Sequence, residues 1–356
     1  MIKYVPFLKT KQNEIIALSS LAQCTIDVIC PFFDCHRKTK SVYSSDEFKT
    51  TISKTVKSFN AHLKRFDEFY LDNYDIHESL IIDGSHNYEF ILKSFSNFPV
   101  IPVASIDRAE RHINSISKLK ADGLINSNVI ACRFSLDDFE DFAAVDQEIE
   151  ETLGSLLGKF EQIDLIFDCR VCTNLNTFEI AQRIINFTES FRAAYPTRQV
   201  IVTGSSIPAS IRDLMRVNTT LTLDRKEVEI YRQVLARNIN ANLIFGDYTT
   251  VSPNYTDAEL PVEMLQSVMT AKLMYTFDDK HFLIRGGGLK AVGSAQYFTM
   301  AQIISQQSFF RGSQFSSGDM YIAQKANRQG ANCTPNTVIK PSIVSHITYI
   351  ASLSSI

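Results

Sequence analysis

"IDLIFDCRVC", residues 163–172, is a mostly apolar stretch that ends in charged side chains. Its near-continuous hydrophobicity is typical of a parallel strand that is covered on both faces. Asp168 and Arg170 follow the apolar run two positions apart, which places both on one face of a strand. Cys169 and Cys172 have the spacing of metal and redox pairs, but no second pair accompanies them, so we interpret them as buried thiols. The stretch predicts a buried parallel strand with a polar tip.

Similar apolar runs recur along the chain, and helical patterns separate them. The eight runs are 2–8, 25–33, 68–71, 98–106, 128–134, 163–167, 199–204 and 241–246. The helical patterns are 12–22, 45–66, 86–95, 108–121, 141–160, 177–195 and 224–237. The runs begin about 23 to 43 residues apart, which is a spacing that strand–helix units require.

Eight strand–helix units within about 250 residues match a TIM-type (β/α)8 barrel in number and in length. A doubly wound open sheet is the main alternative. Open sheets, however, seldom contain so many consecutive parallel strands without an interruption. We therefore predict an α/β fold of the (β/α)8 barrel type.

The pattern changes after residue 250. Residues 271–286 are typical of a β-hairpin, and helical patterns follow at 294–309 and 338–353, with a loop at 315–319 between them. We expect one of these helices to be the eighth helix of the barrel and the rest to be added at its mouth. Because no linker or low-complexity segment divides the chain, we predict one barrel domain over 1–356, with 250–356 as an extended C-terminal part.

Composition limits the partners and the compartment. The chain has 356 residues and a formal net charge of −3, which argues against a broad nucleic-acid-binding face. Its seven cysteines are an odd number and lie mostly in apolar runs, as expected for reduced thiols. No apolar run reaches the roughly 18 residues of a membrane helix, and the first residues do not resemble a signal peptide. We expect a cytoplasmic protein with no membrane partner.

Polar side chains end each apolar run. Ligands of parallel barrels bind at the carboxyl ends of the strands, so we expect these side chains to share one pocket at the barrel mouth. The predicted site residues are Lys9, Asp34, Asp72, Arg133, Asp168, Arg170, Ser205, Asp247 and Tyr248.

The charges of this set predict an anion site. Lys9, Arg133 and Arg170 would hold a phosphate or carboxylate group, because guanidinium groups bind such groups bidentately. Ser205 and Tyr248 would add further substrate contacts. The catalytic candidates, which would bind a divalent metal ion (Mg²⁺ or Mn²⁺) or transfer protons, are Asp34, Asp72, Asp168 and Asp247. The alternative is that the aspartate and arginine side chains only neutralise one another as buried charges.

A phosphate-bearing small molecule or nucleotide is therefore the expected ligand. If the protein is an enzyme, metal-assisted hydrolysis of a phosphodiester or a nucleotide is the reaction that fits these residue types. The sequence contains no G-x-S-x-G, H-E-x-x-H or G-x-G-x-x-G motif, which argues against serine hydrolases, zinc proteases and Rossmann dehydrogenases.

The N-terminal segment also carries a family resemblance. "YVPFLKTKQNEIIALSSL" contains a V-P-x-L-K-x-K segment followed by E-x-x-A-L, formed by Val5, Pro6, Leu8, Lys9, Lys11, Glu14, Ala17 and Leu18. This pattern resembles the start of the beta family of proteins, which occurs in phages and bacteria. Two later segments, Phe315–Asp319 and Ser345–Thr348, are similar to the C-terminal pattern of that family, so the resemblance runs nearly end to end.

Some residues depart from the family pattern. Asp34 stands where the family typically has a glutamate, and Ser345 precedes a single His346 where two consecutive histidines are usual. The usual tryptophan–arginine pair is missing, since the chain has no tryptophan. If the family's histidines are catalytic, this member is altered.

The resemblance implies a role in conflict between phages and their hosts. An alternative function follows from it, namely a non-catalytic component of a phage defence or counter-defence assembly that presents the rim or the hairpin to a protein partner.

Overall fold

Eight parallel strands close into a barrel in the computed structural model, which describes residues 2–38, 42–237, 239, 241–255 and 269–354. The strands, in chain order, are β1 (Tyr4–Lys9), β2 (Phe32–Asp34), β3 (Phe69–Asp72), β4 (Ile81–Ile82), β5 (Ser85–His86), β6 (Val100–Ala104), β7 (Val129–Ser135), β8 (Gln162–Val171), β9 (Thr197–Ser205), β10 (Thr219–Asp224), β11 (Leu243–Asp247), β12 (Thr270–Phe277) and β13 (Lys280–Gly288). The barrel order is β1-β2-β3-β6-β7-β8-β9-β11, and β11 pairs with β1 to close it. The predicted (β/α)8 barrel is confirmed.

α-Helices flank the barrel strands, and further helices follow the hairpin strands β12 and β13. They are α1 (Gln12–Ser19), α2 (Gln23–Ile26), α3 (Ser45–His62), α4 (Asn87–Ser94), α5 (Glu110–Ala121), α6 (Phe142–Ile149), α7 (Ser155–Leu157), α8 (Thr177–Ala194), α9 (Lys226–Ala236), α10 (Leu289–Val292), α11 (Gln296–Ser305), α12 (Ser317–Ala326) and α13 (Ile339–Ser352). α13 packs against α1 and β1, so it occupies the position of the eighth barrel helix. Among the helices of the described residues, none is both long enough and apolar enough to cross a membrane.

Both faces of the barrel strands are buried, which explains their continuous hydrophobicity. In β8, Leu165 and Phe167 pack outward in the layer shared with the helices, whereas Ile166 belongs to the barrel interior. Asp164 also points inward, where its Oδ2 accepts a hydrogen bond from the Tyr70 hydroxyl at 2.6 Å. Burial of each large apolar side chain contributes roughly 1.5–3 kcal/mol to folding.

A three-stranded antiparallel sheet, which we call the C-terminal sheet, has the order β10-β13-β12 and combines two strands of the C-terminal part with the earlier strand β10. The predicted hairpin at 271–286 corresponds to β12 and β13. Strand β10 pairs with β13, with Thr219 opposite Arg285, but the sequence did not indicate it because its residues are largely exposed.

Two local predictions were wrong. Within 25–33 only β2 is extended, because the preceding residues form α2, in which the Asp27 amide donates to the Gln23 carbonyl at 2.9 Å. The predicted loop at 315–319 instead begins α12, since the Ser316 hydroxyl caps that helix by accepting from the Asp319 amide at 3.1 Å.

Candidate functional site

Arg133 lies at the centre of a buried ion cluster at the carboxyl end of the barrel. Its Nη1 donates to Asp34 Oδ1 at 2.7 Å and to Asp72 Oδ2 at 2.8 Å. Its Nε and Nη2 donate to Asp168 Oδ2 at 3.1 and 2.6 Å. Each of these four side chains is at most 2% exposed. Parallel pairing brings them together, because Asp34 and Asp72 are directly opposite each other in β2 and β3.

Tyr248 completes this set, which we call the mouth cluster (Arg133, Asp34, Asp72, Asp168 and Tyr248). The Tyr248 hydroxyl donates to Asp168 Oδ2 at 2.6 Å and accepts from Arg133 Nη2 at 2.9 Å. Five of the nine predicted site residues therefore meet in one place.

Arg108 also contacts the mouth cluster but was not predicted. Its Nη2 donates to Asp72 Oδ2 at 3.1 Å. The sequence pattern assigned Arg108 to the start of a helix, whereas α5 begins at Glu110 and leaves Arg108 in the loop above the strands. The sequence contained one signal for this contact, namely a basic residue shortly after the end of β6, where the loops of the barrel mouth begin.

The electrostatics of the mouth cluster show mutual neutralisation. Burial alone would lower the pKa of the Arg133 guanidinium, but the carboxylates around it hold that pKa well above its usual value. Burial likewise opposes ionisation of Asp168, yet the nearby Arg133 and Arg170 keep its pKa below the usual range. Nε, Nη1 and Nη2 of Arg133 all donate to groups of the protein. Arg133 thus acts here as the partner of three carboxylates.

Two further predicted cations lie at the edge of the mouth. Lys9 Nζ donates to the Pro253 carbonyl at 2.8 Å and to Asp75 Oδ2 at 3.2 Å. Arg170 Nη2 donates to the same carbonyl at 3.2 Å and to Asn254 Oδ1 at 3.0 Å. The Pro253 carbonyl oxygen, in the loop after β11, therefore accepts hydrogen bonds from both cations.

Tyrosine rings cover these charges. The Tyr74 ring centroid lies 4.4 Å from the Arg133 guanidinium and 4.5 Å from that of Arg170. The Tyr255 ring lies 3.4 Å from Lys9 Nζ. The space left beside Arg133 is about 10 Å³, room for roughly one water molecule. The mouth itself is filled by protein groups.

Asp247 and Ser205 do not join the mouth cluster. Asp247 immediately precedes the inward-facing Tyr248 and points outward, where its Oδ1 accepts from the Tyr4 hydroxyl at 2.5 Å. It also pairs with Arg225. The Ser205 hydroxyl accepts from the Ile207 amide at 3.1 Å.

His346 connects Asp247 to the C-terminal sheet through a buried network. Its Nε2 donates to Asp247 Oδ2 at 2.9 Å, and its Nδ1 lies 2.7 Å from the Thr276 hydroxyl. That hydroxyl also lies 3.0 Å from His281 Nδ1. Burial lowers the pKa of His346 and, more strongly, that of His281. Both rings are therefore neutral at pH 7. The neutral rings fix one hydrogen-bonding pattern between the barrel strand β11, the helix α13 and the C-terminal sheet.

A cavity of about 320 Å³, which we call the rim cavity, lies between the barrel rim and the C-terminal sheet. Its charged lining comprises Lys9, Lys11, Glu14 and Lys272. The apolar part of its lining includes Ile207, Met215, Leu283, Ile284 and Val338.

Glu14 is a titratable carboxyl group in the lining of the rim cavity. Its Oε2 accepts from the Lys9 amide at 2.6 Å. Burial raises the pKa of Glu14 to about 7, although the Lys9 amide and the charges of Lys11 and Lys9 act in the opposite direction. A carboxyl group that titrates near neutral pH inside a cavity is a candidate for proton transfer.

Comparison with known proteins places the chain in a family. A family model described as Beta protein matches residues 4–352. The chain belongs to the Beta protein family. No curated protein and no solved structure matches it. In this Beta protein, Lys9, Lys11 and Glu14 of the N-terminal motif all line the rim cavity.

The carboxylates that the structure describes do not form a ligand set for a metal ion. Among the described residues, no group of three or more histidine, cysteine, aspartate or glutamate side chains is arranged to hold one. Asp34, Asp72 and Asp168 converge, but Arg133 lies between them. The role of Mg²⁺ or Mn²⁺ stays a prediction from the sequence.

Proposed function

We propose that this Beta protein binds a small phosphate-bearing ligand with the chemistry of a mononucleotide in the rim cavity. The observation that supports the proposal is a cavity lining that combines the lysines Lys9, Lys11 and Lys272 with several apolar side chains. Ligand sites of this size typically combine an apolar lining with a few polar groups that fix the orientation of the ligand.

Two cations of the rim cavity, Lys11 and Lys272, are better placed for an external anion than the arginine of the mouth cluster. Within the described residues, neither Lys11 nor Lys272 forms an ion pair with a carboxylate. Arg133, in contrast, is surrounded by three of them. A phosphate group next to Lys11 and Lys272 would gain charge-assisted hydrogen bonds without first displacing a protein carboxylate.

The apolar residues of the lining suit the ring system of a nucleotide. Ile207 and Met215 come from the loop after β9, and Leu283 and Ile284 come from β13, so barrel and sheet each supply one wall. A volume of about 320 Å³ lies at the lower end of the range for small-molecule sites, which favours a mononucleotide over a polymer.

A more specific proposal is that the protein also hydrolyses the bound ligand, which would then be a phosphodiester or a nucleotide. Glu14 would serve as its general acid or base, because its pKa of about 7 allows both protonation states near neutral pH. The association with phages rests on the family resemblance alone.

Ligand-induced stabilisation tests the proposal. The melting temperature is measured with a nucleoside monophosphate, the matching nucleoside and inorganic phosphate at constant ionic strength. We expect the monophosphate to raise it most, because a ligand that binds only the folded state stabilises that state. Lys272→Ala should weaken the effect, whereas Lys290→Ala, a change of an exposed lysine outside the cavity, should preserve it.

The absence of stabilisation by every ligand of this panel would contradict the proposal. The alternative, a non-catalytic role in a protein assembly, would then be the remaining hypothesis. Incubation of the nucleotide with the protein, with and without Mg²⁺ or Mn²⁺, separates binding from turnover.

A further inference from the structure

A groove of about 490 Å³ lies outside the barrel, between the start of α1 and one face of α3. We call it the α3 groove. Its lining residues are Thr10, Lys11, Gln12, Ile15, His36, Thr51, Lys54, Thr55 and Ser58. The four α3 residues in this set follow the pattern i, i+3, i+4, i+7 and therefore share one helical face.

The lining of the α3 groove is cationic. Its charged residues are Lys11 and Lys54, with His36 beside them, and none of the lining residues that the structure describes is an aspartate or a glutamate. Two carboxylates near the groove have other partners, since Asp34 pairs with Arg133 and Glu47 pairs with Lys38. The groove is therefore a region of positive charge on a protein whose formal net charge is −3.

Hydrogen-bond donors accompany these charges. The Thr10 hydroxyl accepts from the His36 amide at 3.0 Å and lies 2.9 Å from His36 Nδ1. Its proton can therefore be donated to Nδ1, which makes Nε2 the N–H donor of the neutral ring. α1 begins beside the groove with Lys11 at its N-cap and no side-chain cap. Its first amides thus add a partial positive charge.

We propose that the α3 groove is an anion site that binds a phosphate group, either free or on a polar carrier such as a sugar. Lys11 precedes α1 and Lys54 belongs to α3, so each of the two elements that form the groove supplies one lysine. The hydroxyl and amide groups of Thr10, Gln12 and Ser58 provide a polar lining. Among the lining residues that the structure describes, Ile15 is the one apolar side chain, so the groove does not suit a ligand with a large apolar body.

The α3 groove and the rim cavity can be tested separately. Lys11 lines both, but Lys54 lines only the groove and Lys272 lines only the rim cavity. Loss of binding in one variant alone therefore assigns a ligand to one site.

Phosphate titration followed by histidine NMR tests the α3 groove. Inorganic phosphate and a hexose phosphate are added to the full chain at constant ionic strength, and the pKa of His36 is measured in each case. In the free protein burial lowers this pKa, with Lys11 and Lys9 in the same direction and Asp75 opposing them. A bound phosphate should raise it, by about one unit.

Affinity measurements on matched variants complete the test. Lys54→Ala should reduce the affinity for phosphate at least about tenfold, because it removes one of the two cations. Lys57→Ala changes an exposed lysine of the same helix outside the groove and should leave the affinity unchanged. If the hexose phosphate binds more tightly than inorganic phosphate, the ligand of the groove is a phosphate group on a sugar carrier. If it binds equally or more weakly, the ligand is free phosphate.

Two results would overturn this proposal. One is an unchanged His36 pKa at saturating phosphate. The other is phosphate binding that Lys272→Ala removes and Lys54→Ala leaves intact, because the anion would then occupy the rim cavity instead.

Discussion

Arg133 of β7 and Asp168 of the adjacent strand β8 form a buried ion pair, with Nη2 2.6 Å from Oδ2. The same guanidinium bonds Asp34 of β2 and Asp72 of β3, so one side chain joins strands from opposite sides of the barrel. A cation in this position holds together carboxylates that would otherwise repel one another in a medium of low polarity.

Replacement of Arg133 should strongly destabilise the protein. Arg133→Gln leaves three buried carboxylates without their common partner, and the expected loss in the free energy of unfolding is about 3–5 kcal/mol. Equilibrium unfolding in urea measures it. The control is Arg183→Gln, which breaks ion pairs of a partly exposed arginine with exposed glutamates and should cost at most about 1 kcal/mol. Equal losses in the two variants would show that the mouth cluster has no special structural role.

Glu14 should make stability depend on pH near neutrality. Its pKa is about 7 in the folded protein and 4.5 for the unperturbed group, so its contribution to folding is complete below pH 4.5 and is lost as the pH rises to about 7. Glu14→Gln removes this loss. The stability of the variant relative to the wild type should increase between pH 5 and pH 8, by up to about 3 kcal/mol. Glu148→Gln changes an exposed glutamate, and its difference from the wild type should stay constant. A constant difference for Glu14→Gln would exclude a raised pKa at this site.

His346 should contribute to loss of stability in acid. Burial lowers its pKa below the usual 6.5, so the folded protein binds this proton less readily than the unfolded chain. Its neutral form favours folding above pH 6.5, and that contribution is lost as the pH falls toward the folded pKa. Between pH 6.5 and pH 5 the stability of His346→Gln should fall less steeply than that of the wild type, by up to about 1.4 kcal/mol per pH unit. Exposed His77→Gln is the control. Parallel pH profiles for wild type and His346→Gln would contradict the expectation.

The barrel could be predicted from the sequence because burial on both faces leaves a signal in each strand. Leu165, Ile166 and Phe167 are apolar whichever way they point, since both sides of β8 are covered. β10 left no such signal, because most of its side chains are exposed and its pairing with β13 is a long-range contact.

The mouth cluster could be predicted for a similar reason. Asp247 is the exception, since the sequence predicted it at the mouth and the structure places it on the outer face. Asp34, Asp72 and Asp168 all continue the inward-facing side of their strands. On β11 the inward positions are Ile244 and Tyr248, with Gly246 between them, so Asp247 faces outward. A glycine has no side chain to mark the face, and a shift of one residue exchanges the two sides of a strand.

The rim cavity could not be predicted. It forms where β12 and β13 pack beside the β1–α1 loop, and Lys272 lies more than 250 residues from Glu14 in sequence. Local patterns carry no information on contacts at this separation, although Lys9, Lys11 and Glu14 were part of the N-terminal motif.

Gly318 should be essential for the packing of α12 against α13. A Cβ atom at this position would lie 2.2 Å from the Pro341 carbonyl oxygen and 2.7 Å from the Ser345 amide nitrogen, and these backbone atoms cannot move aside cheaply. Alanine normally favours a helix over glycine by about 1 kcal/mol, so a loss of stability in Gly318→Ala would report the steric conflict. We expect a net loss of about 1–3 kcal/mol in urea unfolding. Gly288→Ala is the control, because a Cβ there meets no atom within 4 Å. A Gly318→Ala variant as stable as the wild type would show that the two helices can separate without cost.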